Sequence, residues 1–566
     1  MSSTAQPAGP APSPDLTHRQ IVTILLGLMT GMFLAALDQT IVATAIRTIA
    51  DDLQGLQHQA WATTAYLITS TIVTPLYGKL GDIYGRKRLF TTAITIFVLG
   101  SVLCTFATSM GTLAVYRAVQ GLGAGGLFSL ALAIIGDIVA PRERAKYQGY
   151  FLAVFGTSSV LGPVIGGFLA GQDELLGITG WRWIFLVNVP IGIVALLVVR
   201  RTLHLHHRRL DHRIDWLGAT LLSVSLVPLL LVAEQGRDWG WTSTPSLACF
   251  AVGLVAGLAF LWQEWRMGVE AILPLLMFRN KTVGVASVAS VLIGIAMFGG
   301  LASIPLYLQI VKGATPTEAG LLLLPMTLGI MFGSVFSGQV ISRTGRYRMF
   351  PVIGAGLLTL SLFAFHWVRY DTPLWQTMTV MVFFGIGLGF NFQPLTLAVQ
   401  NAVPPQQIGV ATSTATFTRQ IGGTIGTALF LSILFGRLPE TIGAAVDRAL
   451  PTPEFQAALR DPANAEFAAD LAASQASGSG AAASSGILED SSFLTGLDER
   501  LARPFLIGFS DATDTVFLVG AGVMVIGFLV MLMLPQVELR SGSAYAQRDA
   551  DERGAAERAA AVDPGT

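Results

Sequence analysis

The strongest constraint on this chain is a series of long apolar runs that carry no charge. Ile21–Leu37 and Thr282–Val311 contain no Asp, Glu, Lys or Arg. Runs of roughly 18 or more such residues read as membrane spans. Inside a bilayer each backbone N–H and C=O must find a partner within the protein, which favours helices. Composition agrees: charged residues make up 12% of the 566, about half the ~25% usual in soluble domains. A soluble chain of this length needs several charge-coated domains, and the charge to coat them is missing. The reading is an all-α polytopic membrane protein.

Uncharged stretches, turn residues and charge clusters predict fourteen transmembrane helices at 20–45, 58–78, 88–108, 111–138, 148–171, 181–200, 216–234, 245–264, 282–311, 316–341, 350–368, 374–399, 407–435 and 512–534. They group as a six-helix bundle over 20–200, a section 201–281 holding cytoplasmic loops and two inserted helices, and a second six-helix bundle over 282–534. Residues 1–19, rich in Pro, Ala and Ser, and the tail 535–566 are expected to be disordered. Residues 436–511 are expected to form one long outer loop, with an Ala/Ser/Gly tract at Ala473–Gly486 between two short amphipathic flanks, Phe455–Leu471 and Phe493–Leu506.

Basic residues choose the orientation. One set of short loops carries Lys79, Arg86, Lys87 and Arg88, then Arg142, Arg144 and Lys146, then Arg200, Arg201, Arg208, Arg209 and Arg213. Arg266, Arg279, Lys281, Arg343, Arg346 and Arg348 fall on the same side, against isolated Arg47, Arg237, Lys312 and Arg369 opposite. The positive-inside rule places the first set and both termini in the cytoplasm. An Arg-over-Lys bias with abundant Ala and Gly suggests a GC-rich bacterial genome, hence an inner (plasma) membrane location.

Lys+Arg and Asp+Glu balance at 35 each, and no nucleic-acid partner is expected. The two cysteines, Cys104 and Cys249, fall in predicted spans without metal-spaced neighbours. His204, His206, His207 and His212 supplement the charge of a basic loop rather than form a metal site. No Gly-Lys-Ser/Thr phosphate loop is present, so ATP does not drive the protein directly, and no catalytic triad suggests an enzyme. No cofactor is expected.

Residues 78–90 read GKLGDIYGRKRLF and residues 338–350 read GQVISRTGRYRMF. Gly78/Gly338, Gly85/Gly345, Arg86/Arg346, Arg88/Arg348 and Phe90/Phe350 match, each segment lying between the second and third spans of its half. Gly121, Gly123 and Gly125 are echoed by Gly385, Gly387 and Gly389. Parallel six-span halves are a transporter architecture, with the site between them near the midplane.

Four motifs carry a resemblance at this point. Leu37-Asp38-Gln39-Thr40-Ile41-Val42, the Gly78–Arg88 segment, Arg117 with Gln120-Gly121-Leu122-Gly123, and Gly156–Gly167 stand in order at matching topological positions. Trp181-Arg182-Trp183 and Asn188-Val189-Pro190 follow. The chain resembles the major facilitator superfamily, specifically its fourteen-span drug:proton antiporters. The resemblance implies the major facilitator fold and alternating-access export of lipophilic drugs in exchange for protons, powered by the proton gradient. It further implies a cytoplasmic gate at Gly78, Asp82, Gly85, Arg86 and Arg88, and an antiporter motif at Gly156, Gly162, Pro163, Gly166 and Gly167. A lipid or amphiphilic-metabolite exporter or flippase is the alternative.

The residues themselves support specific roles. Asp38 lies about 27 Å along the first span, in the outer half, where an acid is costly unless protonated, paired or wet. Arg117 enters from the opposite side and lies about 9 Å deep, level with Asp38. The two are expected to pair when the acid is deprotonated, and so to couple protons. Asp82 is expected to lock the outward-facing state; Ser342 replaces it in the repeat. Arg419 reaches about 18 Å, near the midplane, with Asn391 and Gln393 as candidate cavity neighbours. Phe298, Met326 and Phe390 are candidates for a permissive apolar lining. The expected partners are a lipophilic small molecule, protons and membrane lipids, with the protein a monomer.

Overall fold

The computed structural model describes residues 18–54, 59–203, 214–465, 467–469, 471 and 497–540. Nearly every described residue is helical. The first half comprises α1 (His18–Asp52), α2 (Gln59–Tyr84), α3 (Arg86–Thr105), α4 (Met110–Ile138), α5 (Pro141–Ala170), α6 (Arg182–Leu186) and α7 (Asn188–Thr202). A two-residue hairpin, Glu174–Leu175 with Ile178–Thr179, separates α5 from α6. The inserted pair is α8 (Trp216–Trp239) and α9 (Thr244–Met267). The second half comprises α10 (Lys281–Ile310), α11 (Pro316–Leu322), α12 (Leu324–Thr344), α13 (Met349–Phe365), α14 (Leu374–Asn401), α15 (Ile408–Ala449), the short α16 (Pro453–Leu459) and α17 (Glu499–Leu532).

Helix occupies all fourteen stretches read as spans, and eleven helical segments among the described residues are long and apolar enough to cross a membrane. The others are α2, which carries Lys79 and Asp82, and the shorter apolar stretches Gly156–Ala170 and Met349–Phe365. The His204–His212 cluster and the Ala473–Gly486 tract lie outside the described residues.

Each half packs as its own bundle, and close approach at glycine builds the first. A Cβ at Gly123 would meet the backbone of Ala93 and Phe97 on α3 at 2.6 and 2.5 Å. One at Gly121 would meet the Tyr66 carbonyl on α2 at 2.5 Å. Helices that exclude lipid this way gain van der Waals contact rather than a hydrophobic driving force. The repeat is visible in the backbone: Gly85 and Gly345 both close their helix turns at positive φ, 94° and 69°. Phe90 and Phe350 then point into their respective bundles, both buried.

The predicted outer loop 436–511 needs correction. α15 continues to Ala449 and α17 begins at Glu499, so both ends of that segment are helix. Their inner faces close over each other through Leu438, Ile442, Leu501 and Phe505, and α16 adds Phe455 and Ala458, all buried. An apolar stripe on an otherwise polar helix can be buried against a neighbour as well as against lipid, and charge counting sees only the lipid case. Asp498 caps α17 through the Arg500 N–H, 2.9 Å away.

The inserted pair lies along the seam between the halves. Leu222, Leu226 and Leu230 of α8 and Phe260 of α9 pack with Ile68 and Ile72 of α2 and Phe417 of α15 in one apolar cluster. The far face of α9, including Leu254, Val255, Leu258, Trp262 and Trp265, is exposed.

Candidate functional site

The first half holds a buried polar cluster inside apolar helices. Asp38 on α1 and Arg117 on α4 form an ion pair with Oδ2 to Nη1 at 2.5 Å, both side chains almost fully buried. Ser109 and Thr112 form a capping box that starts α4, and Arg117 projects two turns later beside Gln120. Asp38 Oδ1 accepts from Gln120 Nε2 and from Asn188 Nδ2 of α7, each at 2.8 Å. Ser101 of α3 accepts from Gln120 at 2.7 Å. Arg117 also donates to Gln120 Oε1 at 2.6 Å and to the Ala62 carbonyl at 3.2 Å, and lies 4.2 Å from the Tyr66 ring centre. Two helices, α4 and α7, thus aim three donor side chains at one carboxylate.

The pairing read from the sequence, Asp38 with Arg117, is what the structure brings together. Gln120, Ser101, Tyr66 and Asn188 were not read as part of it. Two signals were available. Gln120 is three residues from Arg117 on the same helical face, and Asn188 is a lone amide in an apolar stretch.

A second constellation closes the seam between halves at the end bearing the basic loops. Asp82 Oδ2 accepts the Val410 N–H at the start of α15, at 3.1 Å, so a carboxylate of one half caps a helix of the other. Its Oδ1 pairs with Arg86 at 2.9 Å, and Arg86 reaches Asp137 of α4 at 2.8 Å and the Ala133 carbonyl. Gly78 packs against Ser413 and the Gly409 carbonyl of α15, where a Cβ would sit 2.8 Å from that carbonyl. Arg88 is exposed, as is Arg346, the repeat partner of the buried Arg86. Ser342 donates to the Gln339 carbonyl of its own helix at 2.8 Å.

Arg144 and Gln400 complete this closure and were not singled out from sequence. Arg144 of α5 donates to Gln400 Oε1 of α14 at 2.8 Å and to the Gly136 carbonyl at 2.5 Å. Gln400 Nε2 in turn reaches Thr412 of α15 at 2.8 Å and the Leu132 carbonyl at 3.2 Å. Arg144 was counted as a topology charge; nothing in its spacing distinguished a buried arginine from an exposed one.

The α5 motif divides between two neighbours. Gly162 and Gly166 pack on α1 at Thr40, Ile41 and Thr44, one turn beyond Asp38, and Thr40 donates to the Ser158 carbonyl at 3.0 Å. Gly156 faces Thr327 and Met331 of α12, and Pro163 lies 3.3 Å from the Cβ position of Gly320 on α11, both across the seam. A Cβ at Gly167 would meet nothing within 4 Å.

Among the expected cavity residues, Arg419 on α15 is buried with the Phe392 ring 3.9 Å away. Phe298 of α10 packs on Gly423, one turn further along α15. Gln393 is buried with neither amide atom bonded. Three expected lining residues lie elsewhere. Phe390 stacks edge-on against Phe350 of α13 at 5.2 Å, Asn391 donates to its own Gly387 carbonyl at 2.8 Å and abuts Gly354, and Met326 is buried in the second bundle's core. The Asn391 amide nitrogen is thus committed to its own helix, while its buried Oδ1 has no partner. No group of three or more His, Cys, Asp or Glu able to hold a metal occurs among the described residues.

The fold and these seams define a multi-pass membrane transporter. The chain belongs to the Major Facilitator Superfamily, whose description matches residues 28–427. Members of that family are transporters, not enzymes. An uncharacterized MFS-type transporter of Mycobacterium tuberculosis is 35% identical, over 95% of this chain and 73% of the relative. Multidrug transporter protein MdtP of Bacillus subtilis is 34% identical, over 73% of this chain and 75% of the relative. Among solved structures the proton:xylose symporter XylE, bound to 6-bromo-6-deoxy-D-glucose, shares the fold at a TM-score of 0.58 and 14% identity, covering 94% of this chain and 99% of its own.

Proposed function

We propose that this protein is a proton-coupled antiporter that exports lipophilic small molecules by alternating access, crossing a bacterial plasma membrane fourteen times with the basic loops and both termini in the cytoplasm. The buried Asp38–Arg117 pair carries the proposal. The proton gradient supplies the energy and no cofactor takes part.

With Asp38 ionised, its charge is met by Arg117, Gln120 and Asn188. Removing one partner of a buried ion pair costs about 3–5 kcal/mol because the other charge is stranded. Protonation avoids stranding the acid, and Arg117 keeps two neutral acceptors, Gln120 Oε1 and the Ala62 carbonyl. The cluster therefore has two tolerable states that differ by one proton. A membrane potential adds about 2.3 kcal/mol per charge per 100 mV, comparable to the difference such a cluster must span.

Transmission to the seams follows from position. α1 carries Asp38 and, one turn on, the Thr40–Thr44 surface against Gly162 and Gly166 of α5. α5 in turn contacts α11 and α12 of the other half. A change in how α1 packs on Arg117 thus reaches the α5 seam through a backbone contact with no slack. Asp82, Arg144 and Gln400 hold a state closed to the cytoplasm. Similarity to a multidrug transporter of Bacillus subtilis supports a drug-like substrate.

The test is substrate-driven proton movement in inside-out vesicles acidified within, screening a cationic, a neutral and an anionic lipophile. Proton efflux on adding substrate to wild type, absent in Asp38→Asn, supports antiport. Transport that proceeds with no linked proton flux refutes it.

A further inference from the structure

The two halves treat their buried arginines differently. Arg117 is matched by Asp38, Arg86 by Asp82 and Asp137, and Arg144 by carbonyls and Gln400. Arg419 has no such match. It is 7% exposed and sits about 18 Å along α15 from Gln407, near the midplane. Among the described residues no carboxylate is close enough to act on it, and its guanidinium lies against the face of Phe392. An aromatic face attracts a guanidinium but leaves its charge and its five N–H donors unanswered.

A guanidinium held in a membrane interior without a counter-charge is costly, and such groups face a pathway or a ligand. The residues next in sequence to Phe392 and Arg419 carry spare polar atoms. Gln393, 3% exposed, has both amide atoms without partners, and the Gln420 Oε1 is likewise unpaired. Phe392 and Phe298 flank the same stretch of α15. Charge, spare hydrogen-bonding groups and aromatic surface thus occur together on α14, α15 and α10.

We infer that Arg419 is the anion-recognition point of the transport pathway, and that the transported molecule is an aromatic or similarly lipophilic body bearing one carboxylate or comparable oxyanion. The inference rests on the exporter reading and names its substrate class. A planar guanidinium grips a carboxylate through two parallel hydrogen bonds, which an ammonium cannot reproduce. A lipophilic cation at the same place meets like charge with no acid to offset it. The Asp38 cluster is already neutral as a unit, so it does not reverse this preference.

Equilibrium dialysis of the purified full-length protein against three probes of one shape tests the inference: naphthalene-2-carboxylate, naphthalene-2-carboxamide and naphthalen-2-ylmethylammonium. Wild type is expected to bind the carboxylate at least about tenfold more tightly than the ammonium. In Arg419→Gln that preference disappears, and Arg419→Lys restores part of it. Thermal unfolding of each variant separates lost recognition from lost fold. Equal or tighter ammonium binding by wild type, no carboxylate binding into the millimolar range, or an unchanged preference in folded Arg419→Gln would each overturn the inference. The assay involves no proton gradient, so a failure of proton coupling leaves its outcome intact, and the reverse holds for vesicle flux.

Discussion

The Asp82 carboxylate of α2 accepts the backbone N–H of Val410 at the first turn of α15, across the seam between the two bundles. A helix start presents unpaired N–H groups and a partial positive charge, so an acid there is both a cap and a charge partner. The bond spans the seam, so under the proposed alternating access it is made while that end is shut and broken when it opens.

Asp82→Ala removes that cap and leaves Arg86 with Asp137 and the Ala133 carbonyl. The loss is expected to be about 1 kcal/mol, the scale of an N-cap deletion, expressed as a shift toward the state open at the basic end. Ser413, buried against Gly78, reports it. In a Cys249→Ser background, thiol labelling of Ser413→Cys should rise severalfold when Asp82→Ala is added. Unchanged labelling would show that the seam does not depend on Asp82.

The α5 motif makes a contrast within six residues. Gly162→Val places side-chain atoms into Thr40 of α1, where no space exists, whereas Gly167→Ala enters open space. Transport should be abolished in the first and near wild type in the second, measured as substrate efflux at matched membrane levels. Equal loss in both would mean the motif does not act through its packing on α1.

Asn188→Leu deletes one donor to Asp38 and leaves both other acceptors of Arg117, Gln120 Oε1 and the Ala62 carbonyl, in place. A hydrogen bond to a charged group contributes about 1.5–3 kcal/mol. Proton-linked transport should therefore fall severalfold at matched membrane levels. Wild-type rates in this variant would remove Asn188 from the coupling cluster.

Mild acidification leaves the helical cap of α17 intact. The Asp498 carboxyl is held down to about 2 by hydrogen bonds from the Arg500 side chain and backbone. A depressed carboxylate contributes its stabilisation fully above its ordinary value, near 3.8, and loses it as pH falls through about 2. Amide exchange at the start of α17 should be unchanged between mildly acid and neutral pH once corrected for intrinsic rate. Faster opening in mild acid would contradict this.

Much of this was legible in the sequence, for physical reasons that also set the limits. Uncharged runs must be helical in lipid, so element positions followed directly. A lone acid and a lone arginine at equal depth invite pairing, and Asp38 and Arg117 do pair. Gly85 and Gly345 announced a positive-φ turn in each half. Side-chain direction was not legible. Phe390, Asn391 and Met326 have cavity-like chemistry yet turn into bundle packing, because helical period alone does not say which neighbour a face meets. The side-chain partner of Arg144, Gln400, lies 256 residues away, a contact created by the seam itself. The extension of α15 to Ala449 was hidden because its charged outer face resembles a loop.

The central claim is that Asp38 gains and loses a proton during function. Infrared difference spectroscopy of the full-length protein in lipid, titrated across neutral and mildly acid pH, reads the carboxylic C=O stretch of buried acids directly. The account predicts a protonated-carboxyl component, isolated by subtracting the Asp38→Asn spectrum from wild type, that grows as pH falls. An identical band in both proteins, or none in wild type across the range in which transport is proton-linked, would contradict it.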